Sequence, residues 1–148
     1  MSARAAGFAQ RAGRQAGLAI VLVGDKPDSQ LYVKSKLKSA GDEGINAALT
    51  HLPGSTAVSD LLALIRRLNA DSATDGILVQ APLPEALGTS AMQQVFDAID
   101  PAKDVDGVTP TNVGRLVQNR APLIACTPAG IMALLERSGI DAAGKHAV

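Results

Sequence analysis

Three short apolar runs frame this chain: Leu18 to Val23, Ile45 to Leu52, and Ile77 to Val79, each separated from the next by a segment with helical spacing. The first linker is expected to be a helix from about Gln30 to Glu43, with Ser29 as N-cap and Gly44 as its stop. Its apolar stripe is Val33, Leu37 and Ala40. In the second linker Ser59 is expected to cap a helix in which Leu61, Leu64, Ile65 and Leu68 face inward while Arg66 and Arg67 face water. Continuous apolar strands joined by amphipathic helices are read as a parallel sheet covered on both faces, because such strands have no wet side. The expected fold class is therefore α/β, a three-layer domain with a mostly parallel sheet flanked by helices. The middle run is expected to place Ile45, Ala47 and Leu49 on one face before Pro53-Gly54-Ser55 ends it.

The rest of the chain is less regular. Residues 1–17 read as a lead-in holding a partial first helix, and residues 18–138 as the main domain. A helix is expected from about Ser90 to Ile99, stopped by Asp100-Pro101. The stretch from Lys103 to Pro122 has no clean period, and a long irregular segment inside a compact domain is more often functional than accidental. Thr127 and Pro128 have the chemistry of an N-cap and a first helical position, so a helix is expected from there through Arg137, with Gly139 after it. The closing residues Lys145-His146-Ala147-Val148 read as the opening of a further strand, which makes 139–148 the start of a second unit.

Composition narrows the function. Of 148 residues, 47% are hydrophobic but only 2% aromatic, so the core has to be aliphatic. Fourteen basic residues balance fourteen acidic ones and are scattered singly, which gives no footprint for nucleic acid or an anionic membrane. No apolar stretch has the length of a membrane span, and the start lacks a signal peptide's apolar segment. One cysteine, Cys126, cannot form an internal disulfide and is expected to be a buried structural thiol. His51 and His146 read as strand residues, and with Cys126 they offer no zinc spacing. The expectation is a cytoplasmic, soluble domain without a metal.

Candidate chemistry lies near the carboxyl ends of the strands, where open parallel sheets bind ligands. After the first strand breaks at Gly24-Asp25, Tyr32 and Lys36 stand four residues apart on one helix face, at the border of the apolar stripe. A lysine that moves protons near neutral pH has to be lowered from about 10.4, which a shielded site with polar neighbours can do. Gln80 ends the third strand, with Pro82-Leu83-Pro84 stiffening the backbone beyond it, and its amide can accept from a lysine ammonium. The competing reading is a strand-end glutamine bonded to a nearby turn. Asp104 and Asp106 flank one valine; a carboxylate can face two N–H donors of a heterocycle, whereas the bland alternative is a turn made by Asp-Gly.

Two partial motifs are set aside. Gly139 to Lys145 resembles a phosphate loop, but His146 replaces the required hydroxyl residue and the segment follows a helix. Tyr-x-x-x-Lys also marks short-chain dehydrogenases, which place it after a glycine-rich nucleotide loop that is missing upstream here.

Four collinear strings carry a wider resemblance: Val23-Gly24-Asp25 with Ser29-Gln30-Leu31-Tyr32-Val33 and Lys36; Asp75-Gly76-Ile77-Leu78-Val79-Gln80; Lys103-Asp104-Val105-Asp106-Gly107; and Cys126-Thr127-Pro128-Ala129-Gly130. Over residues 17 to 148 the chain resembles the bifunctional methylenetetrahydrofolate dehydrogenase/methenyltetrahydrofolate cyclohydrolase family. The resemblance implies that Lys36 is the acid/base residue of the cyclohydrolase step, that Tyr32 shapes the site and that Gln80 holds and tunes the lysine. It further implies that Asp106 binds the pterin ring and that Ser29 lines the pocket. NADP is the implied oxidant, its site expected on a dinucleotide-binding (Rossmann) domain after residue 148, and the whole protein is expected to be a homodimer. Ala81 departs from the family's usual leucine, which points to an altered folate-pocket wall. A folate-binding module without turnover, or an inactive fragment, are the alternatives.

Overall fold

The computed structural model describes residues 2–121 and 123–146. A first helix, α1 (Ala3–Ala12), is capped by the Ser2 hydroxyl, which accepts from the Ala5 N–H, and ends at Gly13 in the left-handed region. Arg14 then turns the chain inward. Its guanidinium lies 5.5 Å from the Phe8 ring centre and donates to both carboxylate oxygens of Asp75, at 2.6 and 2.9 Å, and to the Ser72 carbonyl. That fork holds Asp75 below the usual carboxylate range.

Strand β1 (Gly17–Val23) is the centre of a three-stranded parallel sheet in the order β2-β1-β3, with β2 at Asn46–Leu52 and β3 at Gly76–Val79. Side chains alternate along β1, so its two faces feed two separate cores. Val21 and Val23 join Ile77 and Val79 under α3 (Val58–Ala70) and α4 (Ala91–Ala98), where Leu61, Leu64, Ile65, Val95 and Ile99 close the layer. Ile20 and Leu22 join Leu78 on the opposite face, under Val33 of α2 (Pro27–Asp42). The three-layer α/β architecture expected from the apolar runs is the one observed. Among the described residues, no helix is long and apolar enough to cross a membrane.

Local boundaries depart from the sequence reading in several places. Helix α2 starts at Pro27 with Lys26 as N-cap, so Ser29 is a buried first-turn residue instead of the cap. Proline's fixed φ and missing N–H suit the first helical position and outweigh the serine signal. Likewise α3 begins at Val58 after Ala57, and Ser59 caps nothing. Strand β2 lies at the sheet edge, which leaves Leu49 41% exposed instead of facing the core.

The stretch expected to be irregular contains a helix, α5 (Pro110–Val117), whose N-cap Thr109 accepts from the Asn112 N–H. A final helix, α6 (Cys126–Arg137), starts one residue before Thr127, with Ala125 as N-cap, and Gly139 follows in the left-handed region. Lys145 and His146 are not in a strand. Pro122, Ala147 and Val148, on which parts of two expectations fall, lie outside the described residues.

Candidate active site

Helix α2 leaves β1 on one face of the sheet, whereas α4, which follows β3, lies on the other. The strand order reverses between β1 and β3, so their carboxyl ends open a crevice of the kind that binds ligands in doubly wound sheets. Lys36 reaches this crevice from the third turn of α2. Its ammonium donates to Oε1 of Gln80, just past the end of β3, at 3.0 Å. The other end of that amide is occupied, because Gln80 Nε2 donates to the Ala81 carbonyl at 2.7 Å and so keeps Oε1 turned toward the lysine.

The opposite wall comes from the loop after α4. Asp104 is bridged to Ile77 of β3 and the Ile77 N–H donates to the Lys103 carbonyl at 2.7 Å, after which the backbone bends through residues 105–107. That bend sends three side chains to three places. Asp104 turns into its own loop, Val105 packs beside Leu78 on the α2 face, and Asp106 enters the crevice. Val105 fits only because residue 76 is glycine: a Cβ there would lie 2.5 Å from its Cγ1.

The two carboxylates are shifted in opposite directions. Burial alone would raise Asp104, but the Thr109 N–H, the Asn112 amide and the Thr109 hydroxyl donate to it and bring it below the usual range. Burial raises Asp106; the nearby Lys36 charge opposes this, and the Asp104 charge adds to it. An acceptor poised in this way suits a ligand that brings N–H donors or positive charge.

Two adjoining cavities share Lys36, Asp106, Cys126 and Thr127. The larger, about 730 Å³, runs along α2 over Leu18 and Leu78, and the smaller, about 270 Å³, includes Gln80, Phe96 and Pro128. Lys36, Gln80 and Asp106, picked from sequence, are thus brought together. Tyr32 is not a lining residue of either cavity and stands 63% exposed on α2; Ser29 is buried beneath the helix's first turn and lines neither. Cys126 is exposed at the start of α6 and lines both, which corrects the expectation of a buried thiol.

Sequence reasoning missed the wall made by Cys126, Thr127 and Pro128, and the service Asp104 gives its loop. The spacing Asp104-x-Asp106-Gly107-x-Thr109-Pro110 carried that second signal: an Asx turn running straight into a capped helix. Among the described residues no cluster of His, Cys, Asp or Glu could hold a metal ion. The turn after β1 passes through Gly24, Asp25 and Lys26 into Pro27 and Asp28 without a glycine-rich fingerprint, so it does not fit a dinucleotide's pyrophosphate.

Residues 1–106 match the family described as tetrahydrofolate dehydrogenase/cyclohydrolase, catalytic domain. The bifunctional protein FolD of Rhodopirellula baltica is 49% identical over 134 residues, which cover 88% of this chain and 45% of that protein. The crystal structure of a bifunctional FolD methylenetetrahydrofolate dehydrogenase/cyclohydrolase from Campylobacter jejuni superposes with a TM-score of 0.83 at 42% identity, covering 91% of this chain and 47% of that one. The Trypanosoma brucei methylenetetrahydrofolate dehydrogenase-cyclohydrolase, solved with NADP cofactor and an inhibitor, gives 0.86 at 35% identity, covering 96% of this chain and 48% of that one. The chain therefore spans about half the length of the relatives it matches. With more than half of its residues under the family match, the chain belongs to the tetrahydrofolate dehydrogenase/cyclohydrolase family.

Proposed function

We propose that this chain is the folate-binding and cyclohydrolase half of an enzyme that oxidises 5,10-methylenetetrahydrofolate with NADP and hydrolyses the product to 10-formyltetrahydrofolate. The observation that carries this reading is the Lys36 ammonium held 3.0 Å from Gln80 Oε1, in a crevice that Asp106 also enters. In this reading Asp106 accepts from the aminopyrimidinone edge of the pterin and fixes the methenyl carbon near Lys36. Adding water to that cationic amidine carbon requires a proton to leave the water and another to reach the ring nitrogen as the ring opens. Lys36 Nζ is the group placed to carry them, with Gln80 setting its position. Tyr32 and Ser29, one and two turns before Lys36 on α2, have supporting roles in this reading.

NADP would supply the hydride acceptor, and since the turn after β1 does not fit it, we expect no dehydrogenase activity from these residues alone. The same reading makes the whole protein a cytoplasmic homodimer. Hydrolysis of 5,10-methenyltetrahydrofolate, followed by its absorbance, should fall about 100-fold or more in Lys36→Met; unchanged turnover would remove the lysine from the reaction. The exposure of Tyr32, away from both cavities, favours a second reading, a folate-binding module without turnover. Calorimetric binding of a reduced folate with no hydrolysis would select it.

A further inference from the structure

We propose that Asp104 is the positioning residue of this site: its buried carboxylate gathers the loop that aims Asp106 into the crevice. This rests on the reading that Asp106 contacts the folate.

Five donors converge on Asp104. Oδ1 accepts from the backbone N–H groups of Asp106 at 3.2 Å and Gly107 at 2.8 Å. Oδ2 accepts from the Thr109 N–H at 2.9 Å, the Thr109 hydroxyl at 2.8 Å and the Asn112 amide at 2.9 Å. Asn112 also donates to the Pro101 carbonyl at 2.9 Å, which ties the loop's far end back to its start. A carboxylate has about four lone-pair directions, so Asp104 is saturated and has no capacity left for a ligand. One of its donors is the N–H of Asp106 itself. The backbone that carries the ligand-facing carboxylate is thus fixed by its neighbour two residues earlier. Gly107, at φ +68, completes the turn.

The charge has a separate effect. The titratable groups that share the cavities with Asp106 are Lys36 of α2, Glu43 just after it, Asp75 before β3, and Cys126 of α6. Of the charged groups, Lys36 lowers Asp106 and Asp104 raises it, while burial raises it most.

The test is calorimetric titration of the chain with 5-formyltetrahydrofolate across acid to neutral pH. Wild-type affinity should rise as Asp106 ionises, with a midpoint above the ordinary carboxylate value. Asp104→Asn places an NH₂ or a single acceptor where five donors meet and removes one negative charge. Affinity should fall about tenfold and the midpoint should move down. Thr109→Val keeps the charge but removes one donor to Asp104 together with the α5 cap, so affinity should fall about threefold with the midpoint in place; this variant also serves if Asp104→Asn does not fold. A role confined to stability would lower the melting temperature of both and leave affinity and midpoint unchanged, which would overturn the proposal. Asp106→Asn separates the two levels: wild-type affinity in that variant removes Asp106 from the ligand and the present inference with it, whereas lost affinity there beside unaltered Asp104→Asn and Thr109→Val refutes the positioning role alone.

Discussion

Residues before Asp106 and residues after it treat their apolar side chains in opposite ways. In β1, α3 and β3 the aliphatic groups meet in two dry layers, and Ile20, Val21, Leu61 and Ile65 have no exposed surface. In α5 and α6 comparable side chains stay wet: Val117, Met132 and Leu134 are all more than half exposed, and α6 buries none of its residues. What anchors the second region at its start is polar, the saturated Asp104 with Thr109 and Asn112. The crevice sits on the seam. Lys36 and Gln80 belong to the region held by burial; Asp106, Cys126 and Thr127 belong to the region held by caps and turns.

The contrast can be broken most directly where the effect is largest. Leu61→Ala should cost about 3 kcal/mol of stability in urea unfolding, since it opens a cavity in a closed layer; an unchanged midpoint would mean that the layer repacks freely. Asp104→Asn should cost about 2 kcal/mol at pH 7 by unpairing several donors around a buried charge. The native pKa of Asp104 lies below the unfolded value of 3.8, so its contribution is complete above that value and fades as pH falls through the native pKa. The variant and wild type should therefore converge in acid.

Asp106 has the reverse sign. Its native pKa lies above 3.8, so folding favours its protonated form and stability declines as pH rises through the window between the two values. Asp106→Asn should give a small gain at neutral pH, below about 1 kcal/mol, and none in strong acid. A loss at neutral pH would assign Asp106 a structural duty that its position does not show. Smallest of all, Ile131→Ala should stay within about 0.5 kcal/mol of wild type; a loss above 2 kcal/mol would place α6 in the cooperative core and erase the contrast.

The sheet region is readable in sequence because its pattern and its environment agree: continuous apolar runs match strands buried on both faces, and a clean stripe on α3 records what that helix touches. Helix α5 was not readable. Val113, Leu116 and Val117 are apolar but exposed, so no buried stripe marks its face, and its Thr109-Pro110 start was hidden in a segment already read as loop. Ser29 and Ser59 misled as caps because a hydroxyl is only a local signal, and at α2 a proline two residues before the serine fixed the start. For the site, the residues alone offer Lys36 and Gln80 as candidates at two strand ends, and their pairing is what the family resemblance implies. Their 3.0 Å contact spans 44 residues of sequence and comes from the crossover of α2 and the pairing of β1 with β3. The exposure of Cys126 depends on what covers α6, which no local pattern encodes.

Gly76 lines the larger cavity without a side chain of its own, and Val105 seats against it because it has none. A methyl group added there would press on Val105, and Val105 is the middle of three residues whose outer two divide anchoring from recognition. The strain would pass along the backbone to both neighbours at once, loosening the Asp104 anchor as it swings Asp106. An alanine at position 76 would thus work as a remote adjustment screw on ligand affinity. In a protein library screened for stability alone it would look like an ordinary packing defect, and only a screen scored on ligand retention would show that the missing methyl sets the aim of the site.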